Sequence, residues 1–307
     1  MAGSVRRAFR RGIALLGSLR TAVAFFWPVG RLWAEPARPV DLDELARQQA
    51  ELQAWRRAVR WFVPLGLGVG LVWVGIFILC KKQFWQAEAL HVVPALAVAV
   101  IDSLFLSHRL WVGLALSAEA AVEPTRLRGA SERDADRMGA TGTLMLILVV
   151  TVTVGCLMSL PAGRRWWPGH GDPRQYLNWA YPSPIYRPLL LAPLWGRWAV
   201  LLAALVGRAS TRACRELHML SRAVSPGRVL GWMVVPWFLT AIYCSRHRNL
   251  VTGTIISLIV LAVSYLAAWV WAHRGSGQTK DSVLAVGAIA QLTFLIVYLA
   301  FTWQIHG

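Results

Sequence analysis

Residues 61–80 read WFVPLGLGVGLVWVGIFILC and contain no charged side chain. A helix of about 20 apolar residues spans the hydrocarbon core of a bilayer, which is about 30 Å thick. Within that core only helices and closed barrels satisfy every backbone polar group. Three further stretches, 138–160, 250–271 and 283–302, also lack Asp, Glu, Lys and Arg. The sequence therefore predicts an all-α integral membrane protein.

Three more apolar stretches are weaker candidates for spans. Residues 89–107 contain Asp102, residues 189–206 contain Arg197 and Pro193, and residues 229–244 are short and contain Pro236. Such segments are compatible with tilted, kinked or partly re-entrant helices. Together with the four uncharged stretches they predict about seven transmembrane helices in a bundle at 61–307, preceded by a separate segment at 1–60.

The charges of the chain indicate its orientation in the membrane. Charged residues make up 15% of the sequence, against roughly a quarter in an average soluble domain. The net charge of +17 would suit nucleic acid, but the basic residues lie between apolar runs, so no nucleic-acid partner is expected. With seven spans and an inside N-terminus, 22 Lys and Arg fall on the inside and 8 on the outside. The positive-inside rule then predicts a cytoplasmic N-terminus and an outside C-terminus, as in a bacterial cytoplasmic membrane protein.

Residues 1–60 predict two cytoplasmic helices. The first is a basic amphipathic helix expected to lie on anionic lipid, with its apolar face formed by Val5, Phe9, Ile13, Leu16, Leu19, Val23 and Phe26. A cleaved signal peptide and an organellar transit peptide are alternatives. The second helix begins with a capping box of Asp41 and Glu44 and continues without a break into the first span as a stalk. Its apolar stripe either binds a cytoplasmic or membrane partner protein, or packs on the membrane face or on the chain's own cytoplasmic loops.

Ionisable residues at membrane depth are candidates for function because their insertion is costly. At about 100° per residue, His91, Asp102 and Arg109 share one face of a straight helix, and His108 adjoins them. This line of residues predicts a proton or substrate pathway, or alternatively a structural ion pair of Asp102 with Arg109. Arg197 would hold an anion between its neighbouring tryptophans, extend its head group to the membrane surface, or form an ion pair with Asp102 in the bundle core, although nothing in the sequence shows that the two meet.

The predicted outer loop at 161–188 is rich in aromatic, basic and proline residues. Its prolines favour an extended stretch that ends in Tyr186, Arg187 and Pro188. The loop would form a semi-rigid cap that binds an anionic lipid or a sugar phosphate. Alternatively, it would form an aromatic belt at the membrane interface. The candidate binding residues are Arg164, Arg165, Trp166, Trp167, Arg174, Tyr186 and Arg187.

Other patterns point to packing rather than chemistry. Gly66 and Gly70 form a small-residue face on the first span, where a neighbouring helix can approach closely. The four cysteines lack metal-ligand spacing, and no nucleotide-binding, hydrolase or zinc-protease motif occurs. Asp134 and Asp136 are flanked by arginines and are interpreted as part of a solvated turn, so neither a metal nor a cofactor is predicted.

These observations leave three classes of function open. A small-solute or ion permease, or a membrane subunit of a transport assembly, ranks first because of the predicted line of ionisable residues. A non-catalytic scaffold or assembly factor ranks second, and a membrane enzyme acting on a lipid-linked substrate ranks third. The lack of catalytic motifs weighs against an enzyme without excluding one.

Overall fold

A computed structural model describes residues 15–27, 44–83, 92–122, 139–160, 184–211, 213–244, 250–274 and 277–306. Within these ranges the regular structure is helical and no strand is formed, which confirms the predicted all-α fold. The helices are α1 (Leu15–Phe26), α2 (Glu44–Ala58), α3 (Phe62–Gln83), α4 (Val92–Ile101), α5 (His108–Val122), α6 (Ala140–Met158), α7 (Tyr186–Val206), α8 (Arg215–Ala223), α9 (Pro226–Tyr243), α10 (Val251–Arg274) and α11 (Lys280–His306).

Helix α7 is the centre of the bundle. It packs against α3, α9, α10 and α11, and nearly all of its side chains are buried. The indole N–H of Trp195 donates to Thr240 Oγ1 at 2.9 Å, and that of Trp198 donates to the Val229 carbonyl at 3.0 Å. Both bonds tie α7 to α9. Protein rather than lipid therefore surrounds this helix, which explains how it accommodates Arg197.

The contact between α3 and α7 depends on glycine. A Cβ atom added to Gly70 would lie 2.4 Å from the Leu190 carbonyl oxygen, and one added to Gly66 would lie 2.8 Å from the Leu194 Cα. Neither position has room for a side chain, so the two backbones approach as closely as a small-residue face allows. This confirms the packing role predicted for Gly66 and Gly70.

The number of spans differs from the predicted seven. Five helices in the described ranges are long and apolar enough to cross a membrane, namely the helix that ends with α3, and α6, α7, α10 and α11. Helices α4 and α5 meet the same criterion only as a pair, bent by 82°. The stretch at 89–107 is therefore not a straight span, and the bend agrees with the kinked or partly re-entrant alternative that the sequence left open. Helix α9 is not among the five, because Pro226, Gly227 and Arg228 take up its first turn.

The helices before the first span pack on the bundle. Helix α2 continues through a short 3₁₀ turn, Val59–Trp61, into α3, which confirms the predicted stalk. Within α1, Leu16 is 69% exposed, whereas Phe25 and Phe26 are buried against Trp55 and Phe62. Phe26, predicted on the lipid-facing side, thus packs on protein together with Phe25, whereas Leu16 on that side is not covered by protein. Residues 1–14 and Asp41 lie outside the described ranges.

The segments between the later helices meet at the end of the bundle where α1 lies. Helix α8 packs on α2, and Arg215 forms an ion pair with Glu51. Lys280, the first residue of α11, pairs with Glu216 of α8. Residues 208–210 and Gln278 exchange backbone hydrogen bonds, and Gly277 adopts a φ of 118° that an L side chain rarely allows. We refer to this end, where α3 and α11 begin and α7 ends, as the α1 end.

Candidate functional site

The bend between α4 and α5 forms the centre of the candidate site. After α4 the chain makes a π-helical turn over Asp102–Leu106, in which the Ser107 N–H donates to the Asp102 carbonyl at 2.7 Å. Helix α5 then leaves at 82° to the preceding helix. π-Helical turns are rare and often occur at functional sites. Asp102 and Arg109 lie on opposite sides of the bend, so the prediction that they share the face of one straight helix is wrong.

The carboxylate of Asp102 accepts four hydrogen bonds. Oδ1 accepts from Trp73 Nε1 at 2.9 Å and from Ser107 Oγ at 2.6 Å. Oδ2 accepts from Trp111 Nε1 at 2.9 Å and, over a longer distance of 3.4 Å, from Gln291 Nε2. An ionised carboxylate has about four lone-pair sites. Asp102 is 1% exposed, so donors from α3, α5 and α11 replace its water.

Arg197 lies on the other side of the same network. Its Nη2 donates to the Leu106 carbonyl at 2.9 Å and to Ser107 Oγ at 3.0 Å, and its Nη1 donates to Gln291 Oε1 at 3.4 Å. Ser107 and Gln291 therefore bridge the guanidinium to the carboxylate of Asp102. The sequence marked both charges as anomalies but could not place them together, because they are 95 positions apart.

This network anchors the bent helix to the bundle. All the donors to Asp102 are alcohol, amide or indole groups, and none of these is a ready proton carrier at neutral pH. Leu106 ends the π-helical turn, and its carbonyl finds a partner in Arg197. The arrangement favours a positioning role for Asp102 and Arg197 over the relay that the sequence suggested.

The remaining predicted pathway residues lie apart from Asp102 or outside the described ranges. Arg109 Nη1 donates to the carbonyls of Ala24 and Phe25, at 3.3 and 3.1 Å. His108 is exposed, and its Nδ1 lies 3.2 Å from the Ser103 carbonyl oxygen. His91 lies outside the described residues.

Sequence reasoning missed three cations that each contact the last turn of α1. Arg109 contacts the last carbonyls of α1, the Arg197 guanidinium lies 5.2 Å from the ring centroid of Phe26, and Lys280 Nζ lies 4.8 Å from that of Phe25. We call Arg109, Arg197 and Lys280 the cationic cluster. The three residues come from α5, α7 and α11, and no spacing in the sequence signals that all three contact α1.

The structure also corrects the predicted outer loop. Tyr186 and Arg187 belong to the first turn of α7, and Pro188 follows them in the same helix. A proline is tolerated there because the first N–H groups of a helix have no intrahelical partner. The predicted extended stretch at Tyr186 and Arg187 is therefore wrong. The other candidates of this loop, Arg164, Arg165, Trp166, Trp167 and Arg174, lie outside the described residues.

Across the described ranges, no three His, Cys, Asp or Glu side chains come together in a group that could hold a metal ion. Nor does the cationic cluster offer metal ligands, since protonated Arg and Lys are donors without a lone pair to give. These three side chains suit an anion instead.

Comparison with known proteins identifies a relationship that the sequence motifs did not. A family model described as cobalamin-5-phosphate synthase matches residues 37–302, most of the chain. No curated protein and no solved structure matches the chain. The match overturns the interpretation of the chain as a permease or transport subunit, because the family is one of synthases. The membrane enzyme, ranked third from the sequence, is closer to this finding.

Proposed function

The chain belongs to the cobalamin-5-phosphate synthase family, and from this we propose that it is a membrane-embedded enzyme that forms a cobalamin phosphate. The observation that carries the proposal is the match over residues 37–302, which extends from before the stalk into the last helix. The bend at Asp102 and the buried network around Arg197 both fall inside the matched region. The chemistry is therefore assigned to the bundle itself rather than to an added domain.

The electrostatics of the bundle support a phosphorylated substrate. The product named by the family carries a phosphate, and phosphate is bound in proteins by Arg and Lys and by exposed backbone N–H groups. Basic side chains gather at the α1 end, including Arg109, Lys280 and Arg215, and the last two also pair there with Glu216 and Glu51. We assign phosphate binding to this end and the positioning of the bent helix to Asp102 and Arg197.

The proposal includes the orientation predicted from the loop charges. The α1 end faces the cytoplasm, where anionic precursors are available, and the basic residues of 1–60 contact anionic lipid there. A partner protein bound through residues 1–60 remains a prediction. The localisation proposed is the bacterial cytoplasmic membrane.

The test is to supply the chain to cells that cannot make cobalamin phosphate. We would express it in a bacterial strain whose own synthase of this family is deleted, and measure growth on a medium that requires cobalamin. We expect rescue, because the chain would restore the missing step. Membranes from the rescued strain, mixed with an extract of the deletion strain as the source of precursors, should yield a product that phosphatase converts to cobalamin, as detected by mass spectrometry.

The control for this experiment is the amount of inserted protein. Growth must be compared between cells that express this chain and cells that express a functional synthase of the same family. The two proteins must be present in the membrane at equal levels, each detected through the same tag. Absence of both rescue and product at equal levels would refute the proposed activity.

A further inference from the structure

The end of α1 contacts the chain on both sides of the bend between α4 and α5. On the side of α4, the Trp27 indole N–H donates to the Phe105 carbonyl at 2.5 Å. On the side of α5, Arg109 Nη1 donates to the carbonyls of Ala24 and Phe25, at 3.3 and 3.1 Å. Because these contacts lie on opposite sides of the bend, the end of α1 constrains the two segments that the bend joins.

The bend interrupts the hydrogen bonds of a regular helix, and side chains replace them. In a straight helix the Leu110 N–H would donate to the Leu106 carbonyl, four positions earlier. It donates instead to Ser107, at 2.8 Å, and the Leu106 carbonyl accepts from Arg197. The preceding carbonyl is the one that accepts from Trp27. Arg197 therefore holds the bend from inside the bundle, and Trp27 holds it from the α1 end.

Helix α1 is itself anchored on the first span. The ring of Phe26 is buried, and its centroid lies 4.8 Å from that of Phe62 in α3. Just before α3, Trp61 Nε1 donates to Ser18 Oγ at 3.0 Å. Packed aromatic rings bury a large apolar area in a specific geometry. The bond from Trp27 therefore joins the bend to a segment whose position is fixed independently of the bend.

This support comes from outside the region that matches the family. The match begins at residue 37, whereas α1 ends at Phe26 and Trp27 directly follows it. The bend that it supports lies inside the matched region. The family match therefore assigns no role to α1.

We propose that Trp27 is a positioning residue, which acts through the Phe105 carbonyl to fix the direction in which α5 leaves the bend. The inference rests on the proposed function only for its consequence in the reaction. A misplacement of about 1 Å can lower a rate about a hundredfold, even when its cause is far from the reacting atoms. Loss of the Trp27 bond lowers kcat more than it raises KM, because the bond holds α5 rather than the substrate.

The first measurement is amide hydrogen exchange over residues 102–111, followed by mass spectrometry on the full-length chain in phosphatidylcholine nanodiscs. W27F keeps an aromatic ring but lacks the N–H donor. We expect it to exchange about fivefold faster in this segment than the unsubstituted chain, as loss of one hydrogen bond allows. W61F is the matched control, since it makes the same change and loses the bond to Ser18 of α1 without touching the bend. It should exchange over residues 102–111 like the unsubstituted chain.

The second measurement is the rate at which membranes containing each variant form cobalamin phosphate. The variants are present at equal levels, and the extract of the deletion strain supplies the precursors. We expect W27F to be about tenfold slower than W61F. The ratio should persist when the extract is concentrated, because a loss in kcat is not recovered by more substrate.

Three outcomes would overturn the inference. The first is equal exchange of W27F and W61F over residues 102–111, and the second is equal rates of product formation. The third is faster exchange of W27F in α10 as well, which would indicate a general loss of folding. A difference in rate that disappears in concentrated extract would also refute a positioning role. If the unsubstituted chain forms no product, the proposed function fails, whereas hydrogen exchange still decides whether Trp27 holds the bend.

Discussion

Asp102 illustrates how a single charge becomes tolerable at the centre of a membrane bundle. A buried carboxylate is stable only when hydrogen bonds and a counter-charge replace its water, and Asp102 has four donors together with Arg197 behind Ser107 and Gln291. The stabilising element is thus the connected set rather than any single pair. Removing Asp102 leaves Arg197 buried without a counter-charge.

We predict that D102L lowers the free energy of unfolding by about 3–5 kcal/mol, because it strands a buried guanidinium. D102N should cost less, since one carbonyl oxygen remains to accept hydrogen bonds. The double variant D102L with R197M should be more stable than D102L alone, because no unpaired charge is left. Unfolding by a denaturing detergent in mixed micelles, followed by tryptophan fluorescence, gives the three values.

The matched control is T151V on α6, where Thr151 is exposed and bonds only within its own helix. It should change the free energy of unfolding little. If the double variant proves no more stable than D102L, Asp102 and Arg197 do not compensate each other across the network.

The contact of α3 with α7 allows a comparison within one helix. A Cβ on Gly70 would lie 2.4 Å from the Leu190 carbonyl, whereas one on Gly68 would have no atom within 4 Å. We predict that G70A lowers the free energy of unfolding by about 1–3 kcal/mol, the usual cost of overpacking. G68A should cause no loss, because alanine favours the helix over glycine. Thermal midpoints of both variants in the same detergent check this, and an equal effect of the two would contradict it.

At the scale of elements, the sequence predicted those features that depend on local composition. It predicted the uncharged helices, the stalk and the Gly66 and Gly70 face. It allowed for a kink in the stretch 89–107 but could not place the bend at Ser107, because residues 101–108 contain neither proline nor glycine. The π-helical turn is instead held by hydrogen bonds from α3, α5 and α11. The stretch that forms α7 was a weak candidate for a span because it contains Arg197, whose charge is unfavourable in lipid. In the structure that charge is satisfied by protein groups.

The site could be predicted only in part, because its members meet through tertiary packing. Asp102 and Arg197 are charged residues within apolar stretches, so both could be identified from the sequence. Lys280 could not be identified in this way, because a lysine at the start of a helix is common. Its place in the cationic cluster depends on Phe25, a residue of a helix that the sequence placed on lipid.

The orientation of the whole molecule can be tested with its own cysteines. Cys156 and Cys244 are buried, whereas Cys214 is exposed just before α8. It lies in the segment 207–228, whose five basic residues the positive-inside rule places in the cytoplasm. In a C80A background, a membrane-impermeant maleimide should leave right-side-out vesicles unlabelled and should label inverted vesicles, as measured by a gel mobility shift. C214S should abolish that label. Labelling of Cys214 in right-side-out vesicles would reverse the orientation and place the cationic cluster on the side away from the cytoplasmic phosphate pool.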